Sequence, residues 1–197
     1  MAKKRNFTYA DYLKWDESVR VEIITGIAYM IAPPLTNHQA ISMELSRIFA
    51  QFLKDKSCKA FAAPFGVRLF PKEDKSDDTV VEPDIAVICD SSKLDERGCN
   101  GTPDLIIEIA SPSTRRKDRT IKRDLYFKAK VREYWIVSPE NREIEVHLLD
   151  SGYAPRLYGI NEPNAEDDTK IPEIVPVSVL PGLEIDVNDI FSANASK

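Results

Sequence analysis

The stretch Pro103-Asp104-Leu105-Ile106-Ile107-Glu108-Ile109-Ala110-Ser111-Pro112-Ser113-Thr114 most constrains the fold. Its aliphatic residues crowd a short window bounded by turn formers, so it reads as a buried strand. Glu108 breaks the pattern. A carboxylate among apolar neighbours costs on the order of several kcal/mol unless a cation or a set of hydrogen-bond donors meets it. Another part of the chain must therefore deliver a partner.

The 197 residues suffice for one substantial core. With 43% hydrophobic and 30% charged residues the composition is that of a globular protein. No apolar run approaches the roughly 20 residues of a membrane span. The basic start Met1-Ala2-Lys3-Lys4-Arg5 leads into no apolar segment, so no secretory signal is expected and the cytoplasm is the expected location. Cys58, Cys89 and Cys99 lack paired short spacing and are expected to be reduced and structural. A net charge of −5 argues against a globally basic nucleic-acid binder, but permits one basic edge.

Thr8 is placed to cap a short helix from Tyr9, which Asp16-Glu17 can continue. Val21–Ile24 and Ile27–Ile31 read as a hairpin about Thr25-Gly26. After Pro33-Pro34, Thr36 or Asn37 can cap a long helix with Ile41, Leu45, Ile48, Phe49, Phe52 and Leu53 at helical spacing. Strands follow near 59–63 and 66–70, then a solvated loop over 71–78. Val80–Cys89 reads as one strand with an irregularity at Pro83, and 90–102 as a polar connector. After the Glu108 strand come a helix to about Lys130, strands over 133–137 and 143–148, short strands near 153–160 and 171–186, and a helical turn near 188–191. This order implies an α/β fold with a mixed sheet flanked by helices, and a right-handed crossover if the Glu108 and Trp135 strands are parallel.

Asp84 and Glu108 are 24 residues apart, enough to bring them side by side on neighbouring strands. Two such carboxylates repel unless a metal ion or a lysine compensates. On a wheel of about 100° per residue, Asp118, Ile121, Lys122, Leu125, Tyr126 and Ala129 share one face, and Arg116, Arg119, Arg123 and Lys130 the other. Lys122 therefore points inward, as a lysine recruited to a buried acidic site would. Arg115, Arg116, Lys117, Arg119 and Arg123 surround the helix start, where a phosphate backbone would fit. Taken singly these features have blander readings. Glu108 and Lys122 can form a structural pair, Glu22 an exposed strand position, His38 a capping or surface residue, Tyr126 a core residue, and the basic run a solvated face.

Glu82-Pro83-Asp84, the Glu108 strand with Ser111-Pro112-Ser113, Asp118, Lys122, Tyr126 and Glu133–Val137 together resemble the Uma-two restriction-endonuclease family. Glu22, Gly26 and His38 extend the resemblance, which covers about residues 8–150. It implies a restriction-endonuclease-like PD-(D/E)XK core, with extra β-hairpins at both ends. One domain over 1–197 is expected, its core at about 20–150 and a C-terminal β extension over 151–197. The resemblance further implies a Mg²⁺-dependent (or Mn²⁺-dependent) endonuclease, acting on nucleic acid and most simply on double-stranded DNA. A homodimer without membrane attachment is expected. Asp84 and Glu108 match the metal-binding carboxylates, and Glu22, His38, Asp118 and Tyr126 are secondary candidates. Arg115, Arg116 and Arg119 are expected to contact the nucleic acid. Where the superfamily motif has lysine, two residues after Glu108, this chain has Ala110, and Lys122 is read as its replacement. Smaller departures are Ser138 before Pro139, and Lys130 where a glycine often precedes the valine. The rival reading is a catalytically inactive nuclease fold serving as a nucleic-acid-binding or structural module.

Overall fold

The computed structural model describes residues 6–16, 19–161 and 171–192. In chain order the elements are α1 (Tyr9–Tyr12), β1 (Val21–Ile24), β2 (Ile27–Met30), α2 (Thr36–Phe52), β3 (Lys59–Ala62), β4 (Gly66–Arg68), β5 (Val80–Val81) and β6 (Ile85–Ile88). Then follow β7 (Leu94–Asp95), β8 (Gly98–Asn100) and β9 (Leu105–Ile109). Next is a composite helix of α3 (Arg115–Lys117), a π turn (Asp118–Lys122) and α4 (Arg123–Lys128). The chain continues through β10 (Glu133–Ser138), β11 (Glu143–Leu148), β12 (Pro155–Gly159), β13 (Ile174–Pro176), β14 (Glu184–Asp186) and α5 (Val187–Ser192).

The strands form two six-stranded mixed sheets, ordered β2-β1-β5-β4-β8-β7 and β12-β11-β10-β9-β6-β3, with β13–β14 as a separate ribbon. The Glu108 strand β9 lies at the centre of the second sheet, parallel to β10 and antiparallel to β6. Its alternation divides the interior. Leu105, Ile107 and Ile109 face the apolar side of α2 (Ile41, Leu45, Phe49) and the C-terminal segment. Ile106 and Ala110 face Leu125 and Tyr126 of α4, together with Ile24, Val67 and Val81 of the first sheet. Buried Glu133 ties the C-terminal segment down, accepting from Trp135 Nε1 at 2.8 Å and from the Val179 amide at 2.9 Å.

The structure departs from the sequence reading at several places. Val80–Cys89 is two strands in two different sheets, because the chain leaves the first sheet at Glu82-Pro83-Asp84 and enters the second at Ile85. Pro83 lacks the N–H that a continuous ladder would need. The 90–102 connector contains the β7–β8 hairpin, and β8 runs parallel to β4. The 71–78 loop is pinned by buried Asp77, which accepts from Arg68 Nη2 at 2.6 Å. α2 begins with Leu35 at its N-cap and no side-chain cap, since Asn37 bonds locally to the His38 amide. Glu17, expected to extend α1, and the 1–5 start lie outside the described residues.

The cysteines are not all reduced. Lys59 faces Ile88 across β3 and β6, which brings Cys58 and Cys89 together at the strand ends, and they form a disulfide. Cys99 is free and buried.

The π turn corrects the helical wheel. The Arg123 amide donates to the Asp118 carbonyl, five residues back, so each residue in this turn advances less than 100°. Asp118 and Lys122 therefore stack inward together, while Ile121, expected inward, is 45% exposed.

The composite helix ends at Ala129, and the following Lys130 adopts φ 63°. That left-handed conformation favours glycine at the position just past a helix, and Lys130 itself is exposed. Lys130→Gly should stabilise the fold by about 0.5–1 kcal/mol, seen as a higher urea midpoint at an unchanged slope. An equal or lower midpoint would show that the strain is absorbed elsewhere.

Candidate active site

Glu108 opens into the space between the two sheets, where four elements converge. Its Oε1 accepts from Lys122 Nζ at 2.8 Å and from the Tyr126 hydroxyl at 2.6 Å. Lys122 comes from the π turn and also donates to Glu22 Oε1, at 2.6 Å. Glu22 lies on β1 of the first sheet, and the hairpin that carries it turns tightly through Thr25 (φ 47°) and Gly26 (φ 77°). It is buried rather than exposed as expected, because Lys122, Lys117 (3.1 Å) and the Glu82 amide (3.1 Å) satisfy both of its oxygens.

Asp84 closes the site. The β6–β9 register pairs Ile85 with Ile107, so Asp84 is the next residue opposite Glu108. Asp84 Oδ2 accepts from the Ile109 amide at 2.7 Å. His38, at the start of α2, brings Nε2 to 3.3 Å from the same oxygen. Its buried Nδ1 has no partner among the described residues. The expected surface histidine is therefore drawn to the proline-aspartate pair. Asp118 is buried beside the cluster, and its carbonyl accepts from the Tyr134 hydroxyl at 3.2 Å. Tyr134 packs edge-on against Tyr126, which fixes the phenol on Glu108.

The charges are unequal. Glu22, Asp84, Glu108 and Asp118 share the region with two ammonium groups, those of Lys117 and Lys122. Desolvation, reinforced by Asp118, Glu22 and Asp84 and opposed by Lys122, pushes the Glu108 pKa up to about 8. Asp118 is raised chiefly by desolvation. At Glu22 desolvation is outweighed by Lys122 and Lys117, and its pKa falls. Desolvation opposes the charge on Lys122, but Glu108, Glu22 and Asp118 outweigh it and hold the lysine protonated.

This donor set suits a hard divalent cation. Among the described residues no hydrogen bond reaches Asp84 Oδ1 or Glu108 Oε2, and the Asp84 side chain is 19% exposed. Two carboxylates match an ion such as Mg²⁺, which retains several waters. Among the described residues no group of three or more His, Cys, Asp or Glu is placed to hold a metal ion.

The three arginines expected at the nucleic acid behave differently. Arg115 pairs with Glu140 and Arg119 with Glu145, so each is already neutralised. Arg116 is exposed and has no ion pair among the described residues. Within the basic run, Lys117 departs from the expected placement. Its place in the basic run implies a phosphate contact, but it turns in to Glu22 and lies 5.1 Å from the Tyr29 ring. No sequence spacing announces this, because the partner lies 95 residues away.

Three comparisons bear on identity. The Uma2 family model, described as "Putative restriction endonuclease", matches residues 9–188. An uncharacterized protein of Synechocystis is 29% identical over 146 residues, covering 72% of this chain and 74% of the relative. A crystal structure titled as a putative nuclease belonging to DUF820, from Anabaena variabilis, superposes with a TM-score of 0.72 at 24% identity. The match covers 95% of this chain and 98% of that one, and shows that the two share a fold.

The Lys122 bridge yields a stability test. Lys122→Met leaves Glu22 and Glu108 buried without their shared cation and should cost about 3–5 kcal/mol in urea unfolding. Adding Glu22→Gln should recover part of that loss, so the double variant falls short of the sum of the singles. Strict additivity would show that the two groups are not coupled.

Proposed function

Because this chain belongs to the Uma2 family, we propose that it is a metal-dependent endonuclease that hydrolyses phosphodiester bonds in DNA. One observation supports the reading above the others. Lys122 reaches Glu108 from a neighbouring helix at 2.8 Å, so an ammonium group stands beside the acidic strand although Ala110 occupies the motif's lysine position.

In this proposal Asp84 and Glu108 hold Mg²⁺ or Mn²⁺, which when bound polarises the scissile phosphate and acidifies a water. Lys122 spends two of its three N–H donors on Glu22 and Glu108. The third is left to orient the attacking water or to stabilise charge developing on the phosphate. Glu22 and Lys117 keep Lys122 in place, Tyr126 fixes the Glu108 carboxylate, and His38 steadies Asp84. Of Arg115, Arg116 and Arg119, Arg116 is available to the nucleic-acid backbone without first giving up a partner among the described residues. Arg115 and Arg119 would exchange Glu140 and Glu145 for phosphates. We place the protein in the cytoplasm.

A second reading draws on the same network. Two carboxylates already share Lys122, so the cluster could serve only to dock the sheets in a non-catalytic nucleic-acid-binding module. Asp84→Asn and Glu108→Gln separate the two. A nuclease should lose magnesium-dependent or manganese-dependent cleavage in both variants, with weakened manganese binding by calorimetry and the fold retained. Absence of cleavage by the wild type in any divalent ion, or unchanged manganese affinity in both variants, would sink the metal-site assignment.

The proposal includes a twofold dimer, because two sites cut the two strands of a duplex most simply. Sedimentation should then give twice the 22.3 kDa chain mass, and a monomer at micromolar concentration would count against it.

A further inference from the structure

The first turn of the chain carries aromatic residues at three-residue spacing, Tyr9, Tyr12 and Trp15, which the proposed chemistry does not use. They form a ladder. The Tyr9 and Tyr12 rings stack at 6.0 Å, and Tyr12 and Trp15 lie 5.9 Å apart. All three line a cleft of about 530 Å³ between this segment and the first sheet, a volume within the usual range for small-molecule sites.

The opposite wall is polar and largely prearranged. Arg68 is held by Asp77 and by Asn100 Oδ1 at 2.9 Å, and its guanidinium stacks 4.1 Å over Tyr9. Arg20 donates twice to Glu82 Oε2, at 2.9 and 2.7 Å. Gly66 lines the cleft as well, and a Cβ there would make ordinary contact with the Arg97 carbonyl at 3.6 Å. Some groups remain unengaged. Among the described residues no hydrogen bond uses the Tyr9 or Tyr12 hydroxyl, and the exposed Arg97 guanidinium has no ion pair. Burial raises the pKa of both phenols, so each stays an O–H donor.

The charges select the ligand. Arg20, Arg68 and Arg97 line the cleft together with Asp16, Glu82 and Asp95, and Arg68 also pairs with Asp77, so the cleft is no polyanion groove. A flat, hydrogen-bonding, uncharged ring system fits it best, with one anion at the Arg97 rim. Glu82 connects this cleft to the acid cluster. Its side chain lines the cleft while its amide donates to Glu22 Oε1 at 3.1 Å. Asp84 is two residues further on, about 7 Å along an extended chain.

We infer that this cleft takes an unpaired nucleobase of the nucleic-acid substrate, stacked on the Tyr12–Trp15 wall with its phosphate at Arg97. The inference rests on the nuclease reading for the identity of the substrate. Base–aromatic stacking of this kind is tolerant of sequence and requires a base outside a duplex. A duplex would engage the cleft only after opening.

Trp15 provides the readout, since the chain's other tryptophan, Trp135, is fully buried. The full-length protein is titrated in EDTA, so that nothing is cut, with a short single-stranded deoxyoligonucleotide, its abasic counterpart and the matching duplex. The inference expects saturable quenching of Trp15 by the single strand, little by the abasic strand, and weaker binding of the duplex. Tyr12→Ala should weaken the single strand about tenfold. Arg97→Glu, on an exposed side chain that does not threaten the fold, should weaken it comparably. Absence of quenching, equal quenching by the abasic strand, or no effect of either cleft variant overturns the inference. Cleavage with magnesium but without a Trp15 response would overturn the cleft and leave the nuclease standing. A Trp15 response without cleavage in any divalent ion would do the reverse.

Discussion

The Lys122 ammonium lies between Glu22 of the first sheet and Glu108 of the second, and most of the architecture follows from it. Neither carboxylate could remain ionised in its apolar surroundings alone, and an isolated ammonium would be equally unfavourable. Each group is admissible only when the other two are present. The two sheets therefore dock in a geometry set by hydrogen bonds of 2.6 and 2.8 Å, while apolar contacts around Ile24, Val67, Ile106 and Tyr134 fill the remaining space. Docking of the sheets and assembly of the site are one event.

Two backbone irregularities make that geometry reachable. In a regular α-helix Asp118 and Lys122 would sit on either side of the inward direction, and Ile121 would compete for the same space. The π turn moves Ile121 out and stacks the two charged residues over the cluster. The second irregularity is the change of sheets at Glu82-Pro83-Asp84. A single strand from Val80 to Cys89 would have kept Asp84 inside one ladder. Because the chain crosses between sheets there, the Glu82 amide can cap Glu22 in the first sheet while the Asp84 carboxylate accepts from Ile109 on the neighbouring strand of the second.

The sequence disclosed the elements whose signals are local or periodic. The hairpin about Thr25-Gly26, the apolar stripe of α2 and the β9–helix–β10 unit all follow from spacing and turn chemistry. Glu108 stood out because a charge in an apolar strand demands a partner, and Lys122 because its helical phase disagreed with its charged neighbours. What could not be read is what depends on distant pairing. The burial of Glu22 rests on residues 95 and 100 positions away. The Cys58–Cys89 bond rests on the β3–β6 register. The pinning of Asp77 rests on Arg68 across a polar loop that looked fully solvated. The π turn escaped because a wheel presupposes the very angle that the turn alters.

The composition of the cluster bears on its purpose. Buried ion pairs rarely add stability over a well-packed apolar substitute, because the attraction seldom outweighs the loss of hydration. If the only task between the sheets were adhesion, leucine and methionine would perform it without leaving Glu108 raised to about 8 by desolvation and neighbouring carboxylates. This cluster instead carries more carboxylate than ammonium. It leaves an oxygen of Asp84 and an oxygen of Glu108 without donors among the described residues, and the histidine that meets Asp84 through Nε2 keeps a buried Nδ1 without a partner among them. Each of these choices weakens a purely structural joint. On the reading proposed above, all of them would suit a site that gains stability when a cation and an anionic substrate arrive, and the cost borne by the fold would then be part of the binding chemistry.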